Sequence, residues 1–201
     1  MKPVVVTSIL SPQSGNKMPK LSSYGATGPA YGITAKVFHW AIVLLLMVQF
    51  PVGWLMPDIR QGERPGAAMS AHLSIGLLIL LLIVLRFAWR LSHPVPAAVG
   101  LPRWQRVASE CVHWLLYASV FGTTMTGWFF ASFRGWPISF LSLMPLPALA
   151  APGSPFGRVV GGWHSAAGWA LLVAIGFHVG AALFHAIVLR DDVMRRMLPD
   201  S

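Results

Sequence analysis

The chain has 201 residues, of which 55% are hydrophobic and only 10% are charged, and its mean hydropathy is +0.63. This composition excludes an ordinary soluble domain and indicates a membrane protein. The net charge of +9 does not point to nucleic acid, because nearly all basic residues lie between apolar runs, where they face a membrane surface. A single cysteine, Cys111, excludes an internal disulfide and a cysteine-rich metal site.

The apolar segments predict the fold. Residues 1–30 are rich in Gly, Pro and Ser without periodicity, which predicts a flexible N-terminal cytoplasmic arm. A shorter apolar stretch, Ile138–Ala151, carries prolines and is predicted to be an interfacial or re-entrant loop. Residues 31–199 are therefore predicted to form one domain, an all-α four-helix transmembrane bundle. Its four runs are each long enough to cross a bilayer as a helix of about 20 residues: Val37–Met56, Ala71–Leu91, Cys111–Phe133 and Gly162–Leu189.

The basic residues predict the orientation of the bundle, because cytoplasmic loops carry an excess of Lys and Arg. Four of the 15 basic residues are predicted on the periplasmic side: Arg60, Arg64, Arg134 and Arg158. The others are predicted on the cytoplasmic side: Lys2, Lys17, Lys20, Lys36, Arg86, Arg90, Arg103, Arg106, Arg190, Arg195 and Arg196. Both termini are therefore expected in the cytoplasm.

Four histidines lie at matching depths in the predicted spans. His164 and His178 are fourteen residues apart on the fourth run, which corresponds to about 21 Å and nearly four whole turns, so both face one side of the helix. His39 opens the first run and His72 opens the second from the opposite side. Depth therefore pairs His39 with His178 and His72 with His164. Ionisable groups at membrane depth usually face the protein interior for a functional reason.

Two facing imidazoles suit the axial positions of haem iron, whereas zinc usually takes more protein ligands. Glycines fit this interpretation, since Gly76 and Gly168 each follow a histidine by four residues and share its face, and Gly176 and Gly180 flank His178. A missing side chain there leaves room for a flat macrocycle. Two alternatives are that small residues merely let the helices approach closely, and that the histidines are unrelated core residues.

Four segments of the chain resemble the bacterial cytochrome b561 family over about residues 31–199. They are ITAKVFHW (Ile33–Trp40), VLRFAWRLSHPVP (Val84–Pro96), GWH (Gly162–His164) and LRDDVMRRMLP (Leu189–Pro199). The resemblance implies a four-helix bundle in the bacterial inner membrane with two b-type haems, whose ligand positions carry over as His39, His72, His164 and His178. It also implies electron transfer to membrane quinone, and one branch of short, standalone members oxidises superoxide and reduces ubiquinone.

On this interpretation superoxide, or another periplasmic donor, delivers electrons at the His72/His164 end and ubiquinone accepts them at the His39/His178 end. The four periplasmic arginines form a patch that attracts a small anion or, alternatively, contacts lipid headgroups. No nucleophile or catalytic dyad is expected beyond the haems.

Six further residues are candidates for the site. His185 lies seven residues beyond His178 on nearly the same face of the helix. It is predicted to bind or protonate a quinone carbonyl, with Arg103 or Arg106 nearby. The alternative is that its side chain only extends to the membrane interface. Arg86 and Arg90 either pair with haem propionates or anchor the helix on the cytoplasmic side. His113 lies at the depth of His39 and His178 and is a rival ligand, although a hydrogen-bonded structural role is favoured.

Two other functions remain open at the level of sequence. In the first, the chain is an electron-relay subunit that anchors a separate dehydrogenase, hydrogenase or reductase. In the second, it is a haem-free structural or transport protein. The paired histidines disfavour the haem-free alternative. A homodimer is compatible with the sequence, but no interface is evident.

Overall fold

The computed structural model describes residues 30–60, 62–93, 101–141 and 143–198. Four long helices dominate it: α1 (Ile33–Leu55), α2 (Ala67–Ser92), α3 (Arg103–Phe133) and α4 (Pro155–Phe184). Helix α4 continues directly into a π-helical turn, His185–Leu189, and a 3₁₀ turn follows at Arg195–Met197. The described part is mostly helical, as predicted. The predicted arm, residues 1–30, lies outside the described residues except for its last residue.

Three of these helices are long and apolar enough to cross a membrane: α1, α2 and α4 together with its π turn. Helix α3 has 31 residues, about 46 Å at 1.5 Å per residue, so its length suffices for a crossing. It is less apolar because its first two turns carry Arg103, Gln105, Arg106 and Glu110. The fourth crossing therefore stays a prediction.

The helices pack in chain order, with α2 against α1 and α3, and α3 against α4. A core of buried aliphatic side chains from all four helices joins them: Ile42, Ile79, Leu80, Ile83, Val120 and Leu171. Large apolar side chains such as Leu55 and Phe177 point outward, 84% and 74% exposed. An apolar exterior is what a bundle surrounded by lipid requires, because lipid replaces water as the solvent of that surface.

The segment after α3 is a small hairpin, not a fifth helix. Strands β1 (Ser139–Phe140) and β2 (Met144–Pro145) pair antiparallel. At its base Trp136 and Ile138 are buried against Leu77 and Ala131 of α2 and α3. The segment closes one end of the bundle, called here the loop end, where the α1–α2 connection also lies. The sequence predicted a loop here and missed the two short strands.

The C-terminal segment is bonded to the start of α1. The Tyr31 N–H donates to the Arg196 carbonyl (3.2 Å), the Lys36 Nζ to the Leu198 carbonyl (2.7 Å) and the Trp40 Nε1 to the Met197 carbonyl (2.9 Å). The described chain therefore begins and ends at the same end of the bundle, called here the termini end.

Gly161→Ala is expected to destabilise the protein. A Cβ at Gly161 would lie 2.5 Å from Phe130 Cε2, and overpacking of this kind costs about 1–3 kcal/mol. Gly162→Ala is the matched control, because nothing lies within 4 Å of the Cβ it adds on the same helix. Thermal unfolding followed by circular dichroism in detergent should show a lower Tm for the first variant only. Equal midpoints would show that α3 and α4 do not pack closely at this point.

Candidate functional site

The first histidine pair lies at the loop end of the bundle. His72 comes from the second turn of α2 and His164 from the third turn of α4. Their ring centres are 6.1 Å apart and the ring planes are 86° apart. The two histidines meet because α2 and α4 both start at the loop end and run in the same direction, so residues near their N-termini lie at the same depth.

The second pair lies at the termini end. His39, in the second turn of α1, faces His178 near the end of α4, with ring centres 6.3 Å apart and planes at 76°. The structure thus brings together the two pairs that depth matching predicts. Their role as ligands stays a prediction.

The distance between the ring centres of each pair is compatible with one metal bound between its two imidazoles. An imidazole nitrogen binds a transition metal at about 2.0–2.1 Å and lies about 1.1 Å from its ring centre, so two imidazoles on opposite sides of one metal have centres about 6.3 Å apart. The measured distances are 6.1 and 6.3 Å. No cluster of three or more His, Cys, Asp or Glu suited to a metal occurs among the described residues. Each site therefore offers two protein ligands, which suits an iron already held by four nitrogens of a macrocycle.

The ring of His164 is oriented by a hydrogen bond. Its Nδ1 lies 2.9 Å from the Thr123 carbonyl of α3, and because a carbonyl only accepts, Nδ1 carries the proton and Nε2 keeps its lone pair. Metal-binding histidines are commonly fixed in this way. On α2, the Gln49 Nε2 donates to the backbone carbonyl of His72 (3.0 Å).

A cavity of about 220 Å³ surrounds the His72/His164 pair and is lined by all four helices. Three buried polar atoms in its lining residues have no hydrogen-bond partner within the described part of the chain: Gln49 Oε1, His72 Nδ1 and Thr123 Oγ1. Such groups are costly to bury alone. The cavity, its two imidazoles and these atoms fit a bound group that carries both a large apolar face and polar edges.

Glycines keep this cavity open. Nothing lies within 4 Å of a Cβ built on Gly168, whereas a Cβ on Gly127 would lie 2.8 Å from His164 Cε1 and one on Gly53 would lie 3.1 Å from His72 Cε1. Gly168 and Gly76 line the cavity, as the sequence predicted. Gly53 and Gly127 were missed, because each packs against a histidine of another helix and no spacing along its own helix signals this.

His113 packs beside the termini-end pair. Its ring centre lies 5.5 Å from that of His178, edge to face, and its Nδ1 lies 2.6 Å from the Ser109 carbonyl one turn earlier. The ring is thus hydrogen-bonded inside the bundle, which agrees with the favoured structural role. Because His113 lies so close to His178, it remains the alternative to His39 as the second ligand of this pair.

The two candidate arginines of α2 lie at the termini end. The Arg86 Nη1 donates to the Ala35 carbonyl (2.9 Å) and its Nε donates to the Tyr117 hydroxyl (3.0 Å), so it joins α1, α2 and α3. The Arg90 guanidinium lies 5.3 Å from the centre of the Trp114 ring. A guanidinium has five N–H donors, so Arg86 retains donors for a further anionic partner. Its contact with a propionate stays a prediction.

His185 opens the π turn, and the structure adds a partner that the sequence did not reveal. Its Nδ1 lies 2.6 Å from Asp191 Oδ2. The six-residue spacing matches no regular helical pair, so only the π turn and the bend after it bring the two side chains together. Arg103 and Arg106, predicted near the quinone, lie in the first turn of α3 at the same end of the bundle.

Residues 30–200 match the family described as "Prokaryotic cytochrome b561". The chain belongs to this family. The match confirms the resemblance carried by the four sequence segments. Members of the family are membrane cytochromes that bind b-type haem and interact with quinone and membrane lipid. The chain is accordingly a bacterial membrane cytochrome.

Three relatives show how far the similarity extends. "Cytochrome b561 homolog 2" of Escherichia coli (strain K12) is 28% identical over 183 residues, which are 89% of this chain and 96% of the relative. "Probable superoxide oxidase CybB" of Yersinia pestis is 29% identical over 164 residues, 80% of this chain and 91% of the relative. "Cytochrome b562" of Cereibacter sphaeroides is 26% identical over 176 residues, which are 85% of this chain and 96% of the relative.

Gly168→Ala is expected to lower the haem content of this cytochrome. The added methyl group meets no protein atom within 4 Å, so it projects into the cavity that a macrocycle would fill. Gly122→Ala is the control, because its Cβ also meets nothing and Gly122 does not line the cavity. Haem per chain is measured by the pyridine haemochrome method. Full haem content in Gly168→Ala would mean that this space is not the cofactor's.

Proposed function

We propose that this cytochrome is a superoxide:ubiquinone oxidoreductase with two b-type haems, held by His72/His164 at the loop end and by His39/His178 at the termini end. The single observation that carries the proposal is that one helix, α4, presents an imidazole to a facing histidine at each end of the bundle, with ring centres 6.1 and 6.3 Å apart. When bound, the haems supply one-electron transfer between the two ends.

The histidines have two tasks in this function. Each pair would supply two imidazole ligands to one haem, which would then serve one-electron transfer and not substrate binding. The Thr123 carbonyl holds the His164 ring with Nδ1 protonated, so that Nε2 is left to bind the haem. A site of this kind suits electron transfer and not oxygen binding.

The donor end is the loop end, which carries Arg60, Arg64, Arg134 and Arg158. A second cavity of about 200 Å³ there is lined by Arg64 and by three serines, Ser70, Ser74 and Ser139. Leu73, next to His72, lines this cavity and the larger one. Arg64 therefore attracts a small anion into a cavity that shares the lining residue Leu73 with the cavity around the His72/His164 pair. The relative named a probable superoxide oxidase supports superoxide as that anion.

The acceptor end is the termini end. We assign the quinone to the region of His185, with Arg103 and Arg106 at the same end. The excess of basic residues at this end supports an orientation in the bacterial inner membrane with both termini on the cytoplasmic side. Electrons then pass from the periplasmic to the cytoplasmic side.

A second candidate function is an electron-relay subunit that serves a separate redox protein. Two of the three relatives are named as cytochromes, a name that this alternative shares with the first proposal. A relay subunit would copurify with a larger redox protein and would show no reaction with superoxide by itself.

The test of the proposal is an absorption spectrum of the purified, air-oxidised protein in detergent before and after a pulse of superoxide. Rapid appearance of reduced low-spin b-haem bands, abolished by superoxide dismutase, is the expected result. Haem bands that do not change would overturn the superoxide assignment and favour the relay subunit.

His164→Ala and His178→Ala are each expected to lose one of two haems. Each variant removes one ligand of one pair and leaves the other pair intact, about 21 Å away. Haem per chain and the low-spin absorption bands measure the loss. His93→Ala is the control, since His93 is exposed and stacks on Trp89 outside both pairs. A full haem complement in either ligand variant would overturn the pairing.

Arg64→Gln is expected to slow the reduction by superoxide at low ionic strength, by up to about fivefold, because one positive charge near the docking cavity is removed. Added salt should shrink the difference, since salt screens exposed charges. Arg195→Gln makes the same charge change at the other end, where Arg195 is exposed, and should leave the rate unchanged. Stopped-flow absorbance measures both rates. An equal effect of the two substitutions would show that only net charge matters.

A further inference from the structure

The end of α4 is shaped so that an acidic side chain folds back on His185. The helix widens into the π turn His185–Leu189, and Arg190 then adopts a left-handed conformation with φ 51°. The N–H groups of Arg190 and Asp191 both point back to the His185 carbonyl. Single π turns are frequent at functional sites. This bend, and not the helix itself, delivers Asp191 to the imidazole.

The Asp191 carboxylate is held on both of its oxygens. Oδ2 lies 2.6 Å from His185 Nδ1, and Oδ1 accepts the Val193 N–H at 3.1 Å. The His185 side chain is 16% exposed and that of Asp191 is 28% exposed, so the pair is largely shielded from bulk water. The adjacent acid, Asp192, instead pairs with the exposed Arg195 at 3.7 Å.

The pairing fixes which nitrogen of His185 is free. A carboxylate only accepts hydrogen bonds, so Nδ1 carries a proton and Nε2 is left to gain or lose one. His185 lies seven residues after His178, about 10 Å along the axis and within about 20° of the same face. The imidazole is thus on the side of α4 that faces the His39/His178 pair.

We propose that Asp191 is a positioning residue that holds His185 so that its Nε2 hands protons to ubiquinone; the proposal rests on the proposed function. Two superoxide anions are oxidised to two molecules of dioxygen and supply two electrons, and ubiquinone takes these with two protons to form ubiquinol. For each proton, the Nε2–H bond breaks, its electron pair stays on the nitrogen, and an O–H bond forms on the quinone. Water at the termini end then returns a proton to Nε2.

Asp191 contributes in two ways. Its hydrogen bond keeps the proton on Nδ1, and the same bond prevents the ring from rotating, so that Nε2 keeps one direction. A purely structural bond that closes the end of α4 would have neither consequence for proton transfer. The two roles can therefore be separated by experiment.

The experiment compares Asp191→Asn, Asp191→Glu and the matched control Asp192→Asn in the purified holoprotein. The reduced protein is mixed with excess decyl-ubiquinone in H₂O and in D₂O, and haem oxidation is followed by stopped-flow absorbance. We expect Asp191→Asn to be oxidised at least about tenfold more slowly than the wild type, with a larger solvent isotope effect. Asp191→Glu should recover much of the rate, and Asp192→Asn should match the wild type.

Two further readouts exclude a structural explanation. Haem content, Tm and the rate of reduction by superoxide should be unchanged in Asp191→Asn, because they do not involve the proton donor. The ¹⁵N NMR spectrum of histidine-labelled protein should show His185 protonated on Nδ1 in the wild type and on a mixture of nitrogens in Asp191→Asn, with the signals assigned by their loss in His185→Gln.

Three outcomes would overturn the proposal. Wild-type oxidation rates in Asp191→Asn would show that Asp191 does not serve the transfer. A parallel fall in Tm, haem content and both rates, with no recovery in Asp191→Glu, would show that the bond is structural. A wild-type protein that superoxide reduces but quinone does not oxidise would refute the acceptor assigned under the proposed function, and this inference with it.

Discussion

The structure depends on one constraint, which is that histidines buried in an apolar bundle must each have a partner. A lone imidazole among aliphatic helices leaves polar nitrogens unsatisfied, and such groups are expensive in a membrane. Helix α4 meets the constraint twice, at His164 and at His178, because fourteen residues return nearly to the same face. The helices α2 and α1 must then present His72 and His39 at the matching ends, and this fixes which faces of α1, α2 and α4 are turned toward one another.

The two ends of the bundle satisfy this constraint with different surroundings. At the loop end, glycines of α1 and α3 allow the imidazoles to approach, and Gln49 and Thr123 place polar atoms around an open cavity. At the termini end, His113 packs beside His178, Arg86 bonds to Ala35 and Tyr117, and the C-terminal segment is bonded to Trp40, which lies edge-on to His39. The first environment has a cavity lined by Arg64 beside it, with Leu73 lining both cavities. The second has the His185–Asp191 pair at the same end of the bundle.

This asymmetry gives the proposed electron path a direction that symmetric histidine pairs alone would not give. A donor such as superoxide releases an electron without a proton, so a positive charge near the His72/His164 pair is sufficient at that end. A quinone takes up protons together with electrons, so the other end requires a group such as His185 that is held in one tautomer. The chemistry of each substrate thus matches the side chains at its end of the bundle.

The sequence by itself determined the apolar helices, the four paired histidines and the family, because hydropathy, the helical repeat and short motifs are local properties of the chain. The depth argument worked because α4 is straight enough for the repeat to hold over fourteen residues. Tertiary structure alone decided the contacts across helices: Gly53 and Gly127 face imidazoles of other helices, Arg86 bonds to Ala35 and Tyr117, and the π turn brings Asp191 to His185. These could not be read from spacing, because each depends on which faces of different helices meet, or on a departure from the regular helix that no residue pattern in this chain announces.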